Sequence, residues 1–278
     1  MTDCYAVIGN PVEHSKSPQI HAAFARQTGQ DMSYTTLKSE LEPSKFSVTV
    51  RKFFDEGGKG LNVTVPFKHE ARKITIVAPG DNAYDADAVN TIKLEGGKLI
   101  GYNTDGIGLV TDLERNLGFP IAGKRVLLMG AGGATYGVMH PVLAKHPESL
   151  VVANRTLEKA VTLVRHFRKF EPFTAGGISA LPYPDLAGAQ FDLIVNATSA
   201  GLSGEMPPLP PDLCAPGALA YDMVYGRVTP FMAFARQCGA RAVDGLGMLV
   251  EQAAESFFIW RNVRPQTAPV IAMLRTGT

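Results

Sequence analysis

Three stretches within the first 106 residues concentrate hydroxyls, amides and isolated charges. They are Asn10-Pro11-Val12-Glu13-His14-Ser15-Lys16-Ser17-Pro18, Asn62-Val63-Thr64-Val65-Pro66-Phe67-Lys68, and Val89-Asn90-Thr91 with Asn103-Thr104-Asp105-Gly106. Gathered on one surface, such groups would hydrogen-bond a small polyhydroxylated acid. Lys68 and Asp105 add reactive chemistry. An ammonium can stabilise a growing alkoxide and then protonate it, and a carboxylate can hold that ammonium and a substrate hydroxyl in line. Each residue also has a plainer use: Ser17 as a helix cap, Lys68 as a surface lysine, Asp105 as the carboxylate of a helix start. Singly, the plainer use is at least as good an account. Their number favours a site. The six histidines, at 14, 21, 69, 140, 146 and 166, are scattered and suit structural or surface roles, and no metal is required.

A second chemistry-bearing pattern lies further along. Arg125 to Met129 is a buried-type strand, followed by Gly130-Ala131-Gly132-Gly133-Ala134 and then a helix towards Lys145. Glycines between a strand and a helix let the backbone turn tightly and approach a pyrophosphate facing the helix N-terminus. Gly130 and Gly132 supply the first two positions of that fingerprint. Thr135 stands where the third glycine is expected, flanked by Gly133 and Gly137. A glycine-rich turn without a nucleotide remains the alternative. Where an NAD site would place Asp or Glu at the end of the next strand, this chain has Asn154-Arg155-Thr156, with Lys159 one helical turn on. A guanidinium and an ammonium suit a 2′-phosphate, and no carboxylate repels it. The pattern favours NADP over NAD.

The elements that must position these residues follow from periodicity. Tyr5 to Ile8, Met32 to Leu37 and Gly60 to Val65 read as strands, and Val89 to Leu94 with Lys98 to Tyr102 as a hairpin across Glu95-Gly96-Gly97. Ser17-Pro18 opens a helix to about Gln27 with Ser17 as N-cap, and Phe46, Val50, Phe53 and Phe54 recur at helical spacing. One further helix is expected from Asp105 to Leu117, closed by Gly118. After the Arg125 strand, Leu150 to Ala153, Phe191 to Val195 and Leu219 to Val224 alternate with helix-like or Pro-rich stretches. Such alternation predicts a doubly wound parallel sheet. A last pair of helices is expected over Gly247 to Trp260 and after Pro265.

Composition narrows the partners. At 278 residues the chain is long enough for two domains, and 45% hydrophobic with 19% charged residues is ordinary for a globular protein. Lys plus Arg total 27 against 26 Asp plus Glu, so the charge of +1 offers no basic stripe for nucleic acid, and a small molecule is the expected partner. Cys4, Cys214 and Cys238 match no metal-ligand spacing and suit a reducing compartment. The N-terminus has no basic region followed by an apolar run, and no stretch is long enough to span a bilayer. A soluble, cytoplasmic protein without a membrane partner is expected, either monomer or homodimer.

The polar segments resemble those of the shikimate dehydrogenase family: Ser15-Lys16-Ser17-Pro18, Asn62 to Lys68, Ala88-Val89-Asn90-Thr91 and Asn103-Thr104-Asp105-Gly106. The resemblance continues through Gly130 to Ala134, Asn154-Arg155-Thr156, the segment 196–201, Asp222-Met223-Val224-Tyr225, and Gly247-Met248-Leu249-Val250-Glu251-Gln252. These motifs run in the family's order from residue 5 to about 257. The resemblance implies NADP-dependent, reversible reduction of 3-dehydroshikimate to shikimate, within aromatic amino-acid biosynthesis. It implies Ser15, Ser17, Thr64, Lys68, Asn90, Asp105, Tyr225 and Gln252 as substrate contacts, with Lys68 and Asp105 as the catalytic pair. Gly130, Ala131, Gly132, Gly133 and Ala134 would hold the pyrophosphate. Asn154, Arg155, Thr156 and Lys159 would take the 2′-phosphate, and Thr198, Met223 and Gly245 would line the nicotinamide.

The expected architecture is a two-domain α/β fold with the active site in the cleft between lobes. An N-terminal α/β substrate lobe would comprise 1–105 plus 246–278, and a Rossmann-like NADP lobe 106–245. Three departures from the family pattern stand out. Ala134-Thr135-Tyr136-Gly137 replaces a commoner Ala-Ala-Arg-Gly. Asp87-Ala88 stands where a glycine is usual, placing a carboxylate near Asn90. The loop from Tyr225 to Pro230 is one residue shorter than usual. Rival readings are a dehydrogenase of the same family acting on quinate, a folate-linked methylene dehydrogenase, and a non-catalytic ligand sensor. The folate enzyme would lack the Ser-Lys-Ser and Asn-Thr-Asp-Gly segments, and the sensor would lose Lys68 or Asp105.

Overall fold

The computed structural model describes residues 2–198, 200 and 204–277, so Ser199 and Gly201 of the 196–201 motif lie outside the described residues. The chain divides into two compact units, Met1–Gly108 with Leu249–Thr278, and Leu109–Met248. No helix among the described residues is long and apolar enough to cross a membrane.

The first unit is built on a five-stranded sheet of order β2-β1-β3-β4-β5. These strands are β1 Asp3–Gly9, β2 Met32–Lys38, β3 Gly58–Val63, β4 Thr91–Glu95 and β5 Lys98–Tyr102. β1 lies parallel to both β2 and β3, whereas β4 and β5 run antiparallel as a hairpin turning at Gly96-Gly97. β1 is covered on both faces, which is why Tyr5 to Ile8 is an unbroken apolar run. Helix Pro43–Asp55 turns Phe46, Val50 and Phe54 towards Leu61, Val63 and Phe67 on one side. On the other, helix Ser17–Thr28 supplies Ile20 and Phe24 to a cluster with Val250, Ala253 and Phe257 of helix Leu246–Arg261. Ser17 is not the N-cap that the sequence suggests. Lys16 holds that position, and the Ser17 N–H donates to Ser15 Oγ at 3.2 Å, so the capping hydroxyl comes from two residues earlier.

His21 sits in this second cluster with its ring fully buried, stacked on Tyr34 at 4.1 Å between centroids. Neither ring nitrogen meets hydrogen-bond geometry with a partner. Burial pushes its pKa down to about 3 from 6.5, the neighbouring Asn62 amide opposing the shift only in part. The native state therefore keeps the imidazole neutral while the unfolded chain protonates it below about pH 6.5. This contribution is fully present above that pH and is lost as pH falls towards about 3, at up to about 1.4 kcal/mol per unit. His21→Phe should reduce the stability difference between about pH 7 and pH 4.5, read from urea midpoints, by roughly 2–3 kcal/mol. An unchanged difference would remove His21 as the cause.

The second unit is a six-stranded sheet, every pair parallel, of order β11-β10-β9-β6-β7-β8. The strands are β6 Arg125–Met129, β7 Ser149–Ala153, β8 Ile178–Leu181, β9 Phe191–Asn196, β10 Cys214–Asp222 and β11 Arg241–Asp244. Read from the central strand outward, this is the dinucleotide-binding order, with the switch point between β6 and β9. Alternate side chains of β6 serve opposite faces. Val126 and Leu128 pack with Val138, Val142, Leu163 and Phe167 of the helices Gly133–Leu143 and Leu157–Phe167. Leu127 and Met129 pack instead with Phe231 and Ala235 of helix Pro230–Gln237.

The helix expected to run unbroken from Asp105 to Leu117 ends at Thr111, and Asp112–Asn116 is a π-helical turn. The Leu117 N–H reaches the Asp112 carbonyl, five residues back, at 2.9 Å. The buried Asp112 carboxylate accepts the Tyr221 hydroxyl at 2.7 Å and the Asn116 amide at 2.9 Å. That anchorage to β10 accounts for the local widening of the helix.

Candidate functional site

Sheet topology gathers the polar segments of the first unit. β1 and β3 are parallel neighbours, so the loops bearing Ser15-Ser17 and Thr64-Lys68 leave the same edge. β4 is antiparallel to β3, so its start at Asn90-Thr91 lies on that edge, as does the end of β5 leading into Asn103-Thr104-Asp105. Four segments far apart in sequence are thereby neighbours.

Lys68 opens helix Lys68–Ile74 behind a fully buried Phe67, and its carbonyl accepts the Val89 N–H at 2.9 Å. Lys68 Nζ donates to Asp105 Oδ2 at 2.5 Å. The Lys68 side chain is 21% exposed and Asp105 9%, so the pair is largely withdrawn from water while the ammonium stays reachable. Asn90 Nδ2 donates to the other carboxylate oxygen, Oδ1, at 2.8 Å, and the Asp105 N–H donates to Asn103 Oδ1 at 3.1 Å. Gln252 brings Oε1 to 3.5 Å from Asn90 Nδ2 and 3.4 Å from Thr104 Oγ1, so the late helix returns to this cluster. Lys68, Asn90, Asp105 and Gln252 thus meet. Thr64 donates its N–H to the Ile8 carbonyl at 2.9 Å, placing it beside the end of β1. Ser17 is buried and Ser15 half-buried in the loop that follows.

One expectation is corrected. Asp87 does not direct its carboxylate at Asn90. It adopts a positive φ of 47°, pairs its carboxylate with Arg72 Nε at 3.9 Å and its carbonyl with His69 Nδ1 at 2.7 Å. The left-handed backbone accounts for both the outward side chain and the ease with which glycine would fit there. Tyr225 belongs to the second unit, in the loop after β10, half-buried and with its phenol pKa raised by burial.

In the second unit, the glycine loop is shaped to approach an anion closely. Gly130 has φ 101°, and a Cβ there would lie 3.2 Å from Thr198 Cγ2 and 3.3 Å from the Ala197 carbonyl. Around Gly132, by contrast, the space a side chain would take is open, and no side chain caps helix Gly133–Leu143. A phosphate would fill that space, facing the first-turn N–H groups. Thr135, where the third glycine was expected, is fully buried and donates its hydroxyl to the Gly130 carbonyl at 2.9 Å. It braces the turn from inside. Thr135→Val keeps the shape and removes that bond, so the NADP+ Michaelis constant should rise by about 5-fold with that of the second substrate unchanged. Equal changes in both constants would deny Thr135 this role.

Asn154, Arg155, Thr156 and Lys159 lie at the end of β7 and the start of helix Leu157–Phe167. Asn154 Nδ2 donates to the Thr156 carbonyl at 2.8 Å, holding the turn, while Arg155, Thr156 and Lys159 are exposed. No acidic residue occupies the turn, so the set fits a 2′-phosphate. Thr198, Met223 and Gly245 converge at the C-terminal ends of β9, β10 and β11. Asn196 Oδ1 accepts both the Thr198 N–H at 3.1 Å and its hydroxyl at 2.7 Å, and the Met223 N–H donates to the Asn196 carbonyl at 3.0 Å. At Gly245 a Cβ would fall 2.4 Å from the Met223 carbonyl, so only glycine lets these two segments approach.

Residue-type reasoning assigned no role to several members of the first cluster. Thr104 donates its N–H to Asn90 Oδ1 at 2.9 Å, and Tyr34, Thr91 and Ser256 bond with Asn62 or Asn90 from behind. Asn62 and Thr104 stood within the polar segments already singled out. Tyr34 and Ser256 read as ordinary strand and helix positions.

In sequence and fold the chain is similar to known proteins. Residues 7–92 match the shikimate dehydrogenase substrate binding domain, residues 113–202 the shikimate / quinate 5-dehydrogenase family, and residues 245–275 the shikimate 5′-dehydrogenase C-terminal domain. The shikimate dehydrogenase (NADP(+)) of Dechloromonas aromatica is 53% identical over 277 residues, covering 99% of this chain and 98% of its own length. An Ael1 enzyme from Pseudomonas putida superposes with a TM-score of 0.90 at 44% identity over 98% of each chain. Shikimate 5-dehydrogenase from Thermus thermophilus, solved in complex with NADP(H) and shikimate, gives 0.86 at 30% identity over 100% of each chain.

Proposed function

This chain belongs to the shikimate dehydrogenase family, and from that premise we propose that Lys68 and Asp105 carry the proton transfer of its reaction. The activity is the NADP-dependent interconversion of shikimate and 3-dehydroshikimate. NADP(H), when bound, supplies or accepts the hydride. Gly130, Ala131, Gly132, Gly133 and Ala134 would hold its pyrophosphate, Asn154, Arg155, Thr156 and Lys159 its 2′-phosphate, and Thr198, Met223 and Gly245 its nicotinamide.

In the reductive direction the ring carbonyl oxygen gains negative charge as it becomes an alkoxide. Lys68 stabilises that charge as an ammonium and donates the proton that completes the hydroxyl. Asp105 orients the ammonium through Oδ2, and Asn90 holds Oδ1 so that the carboxylate does not rotate away. In the oxidative direction the same lysine, as the neutral amine, takes the hydroxyl proton and becomes the ammonium. Ser15, Ser17, Thr64, Gln252 and Tyr225 serve the remaining hydroxyls and the carboxylate. The substrate belongs to the unit Met1–Gly108 with Leu249–Thr278 and the cofactor to Leu109–Met248. Three cysteines without disulfide partners accord with a cytoplasmic location.

The single observation that supports this reading most is the 2.5 Å Lys68–Asp105 contact with its second oxygen held by Asn90. Reduced-nicotinamide absorbance, followed with shikimate or quinate and NADP+ or NAD+, tests it. Turnover is expected to be greatest with shikimate and NADP+. Turnover greatest with quinate would reassign the substrate, and no turnover with any pair would leave a ligand sensor.

A further inference from the structure

Behind the Lys68–Asp105 pair runs a chain of hydrogen bonds whose direction can be settled proton by proton. It runs inward from Tyr34, whose pKa burial raises well above 10 against a hydrogen bond from Ser17 that lowers it, so the phenol remains a donor. Its one proton goes to Asn62 Oδ1 at 2.7 Å. That bond fixes the Asn62 carboxamide, because an amide turned the other way would face its NH2 against a donor. Asn62 Nδ2 therefore points inward, to Ser256 Oγ at 3.0 Å, Thr91 Oγ1 at 3.1 Å and the Asn90 carbonyl at 3.2 Å.

Ser256 spends its proton on the Gln252 carbonyl at 3.0 Å, one turn back on its own helix, and lies 2.8 Å from Thr91 Oγ1. Thr91, supplied by the Asn62 amide, is free to donate to Asn90 Oδ1 at 2.9 Å. The Thr104 N–H donates to the same oxygen at 2.9 Å. With its oxygen engaged by two donors, Asn90 must present Nδ2 to Asp105 Oδ1. Asn62, Asn90, Thr91, Thr104 and Ser256 are all buried, so water does not substitute for a missing partner.

We propose that Tyr34, Asn62 and Ser256 are positioning residues that fix the Asn90 carboxamide in the orientation holding Asp105 against Lys68, a role resting on the assignment of that pair to proton transfer. None of the three needs to touch substrate. Asn62→Asp is the sharpest probe. A carboxylate still accepts from Tyr34, but its second oxygen draws the protons of Thr91 and Ser256 and reverses the chain, leaving Asn90 Oδ1 without the Thr91 donor. Tyr34→Phe removes the first donor, and Ser256→Ala removes the hydroxyl that accepts one Asn62 N–H and holds that amide in place, which Ser256→Thr restores.

The experiment is steady-state oxidation of shikimate by NADP+ with each full-length variant, kcat being normalised to the folded fraction and stability followed separately. Expected are a kcat lowered about 10-fold in Asn62→Asp and about 5-fold in Tyr34→Phe and Ser256→Ala. The NADP+ Michaelis constant should stay within about 2-fold, and Ser256→Thr should recover most of the loss. A purely structural role would change stability and leave normalised kcat alone. That result, or a Ser256→Ala defect that Ser256→Thr does not restore, overturns the proposal. Should Asn62→Asp fail to fold, the Ser256 pair decides. Lys68→Ala is run beside them: if it retains turnover, the underlying assignment fails, whereas an inactive Lys68→Ala beside unaffected positioning variants sinks only the positioning role.

Discussion

Lys68→Ala should lower kcat for shikimate oxidation by about 10²–10⁴-fold while changing the shikimate Michaelis constant by only a few-fold. The asymmetry follows from where the ammonium acts. In the ground state the substrate hydroxyl is neutral, and Lys68 already has a partner in Asp105 at 2.5 Å. Only as the oxygen loses its proton does the lysine gain an interaction it did not have before, so its removal is felt chiefly in the transition state. Loss of folding should not dominate. The Lys68 side chain is 21% exposed, and Asp105 keeps its bond from Asn90 when the ammonium is gone. Lys68→Ala and Asp105→Asn should not be additive, because each disables the same unit. The measurement is initial rate against shikimate at saturating NADP+, with Lys68→Arg beside it. Arginine retains the positive charge but stays protonated in this range and cannot take up the hydroxyl proton, so it should rescue little. A Lys68→Ala protein with near-normal kcat would remove the lysine from the mechanism.

Local chemistry in the sequence carried much of this site. Lys68 and Asp105 could be named because each sits in a short polar stretch ending a strand or starting a helix, and the sheet brings those stretches to one edge. The glycine loop was legible for the same reason, its function being written into three or four consecutive residues. What sequence left hidden is long-range. Asn62 and Ser256 bond across 194 positions, and Tyr34 and Asn62 across 28, so no spacing rule joins them. The Asp105 to Leu117 pattern has good helical periodicity, and its break at Asp112 depends on Tyr221 from another strand. Ser17 looked like a cap because Ser-Pro often opens a helix, yet the hydroxyl of Ser15 takes that work. β8 and β11 escaped notice because four residues each, Ile178-Ser-Ala-Leu181 and Arg241-Ala-Val-Asp244, show no clear apolar run. They are strands by virtue of the sheet edges they extend.

Cofactor choice rests on charge rather than shape, and it yields the second large effect. Arg155→Ala should raise the NADP+ Michaelis constant by about 10- to 100-fold and leave that for NAD+ nearly unchanged, since a charge-assisted guanidinium–phosphate contact is worth roughly 1.5–3 kcal/mol. The turn itself should survive, because Asn154 Nδ2 to the Thr156 carbonyl, and not the arginine, holds its shape. Arg155 is exposed, and within the protein its charge acts on Tyr183, offsetting part of the burial that raises that phenol to about 12. A guanidinium with so little of its charge committed within the protein is available to a ligand. Lys159, one turn on, should give a smaller change as a flexible point charge without the planar fork. Added salt should weaken NADP+ binding in the parent more than in Arg155→Ala, because the screened interaction is the one deleted. Equal losses for NADP+ and NAD+ would mean that Arg155 supports the adenosine pocket generally, and the preference for the phosphorylated cofactor would then have to arise elsewhere.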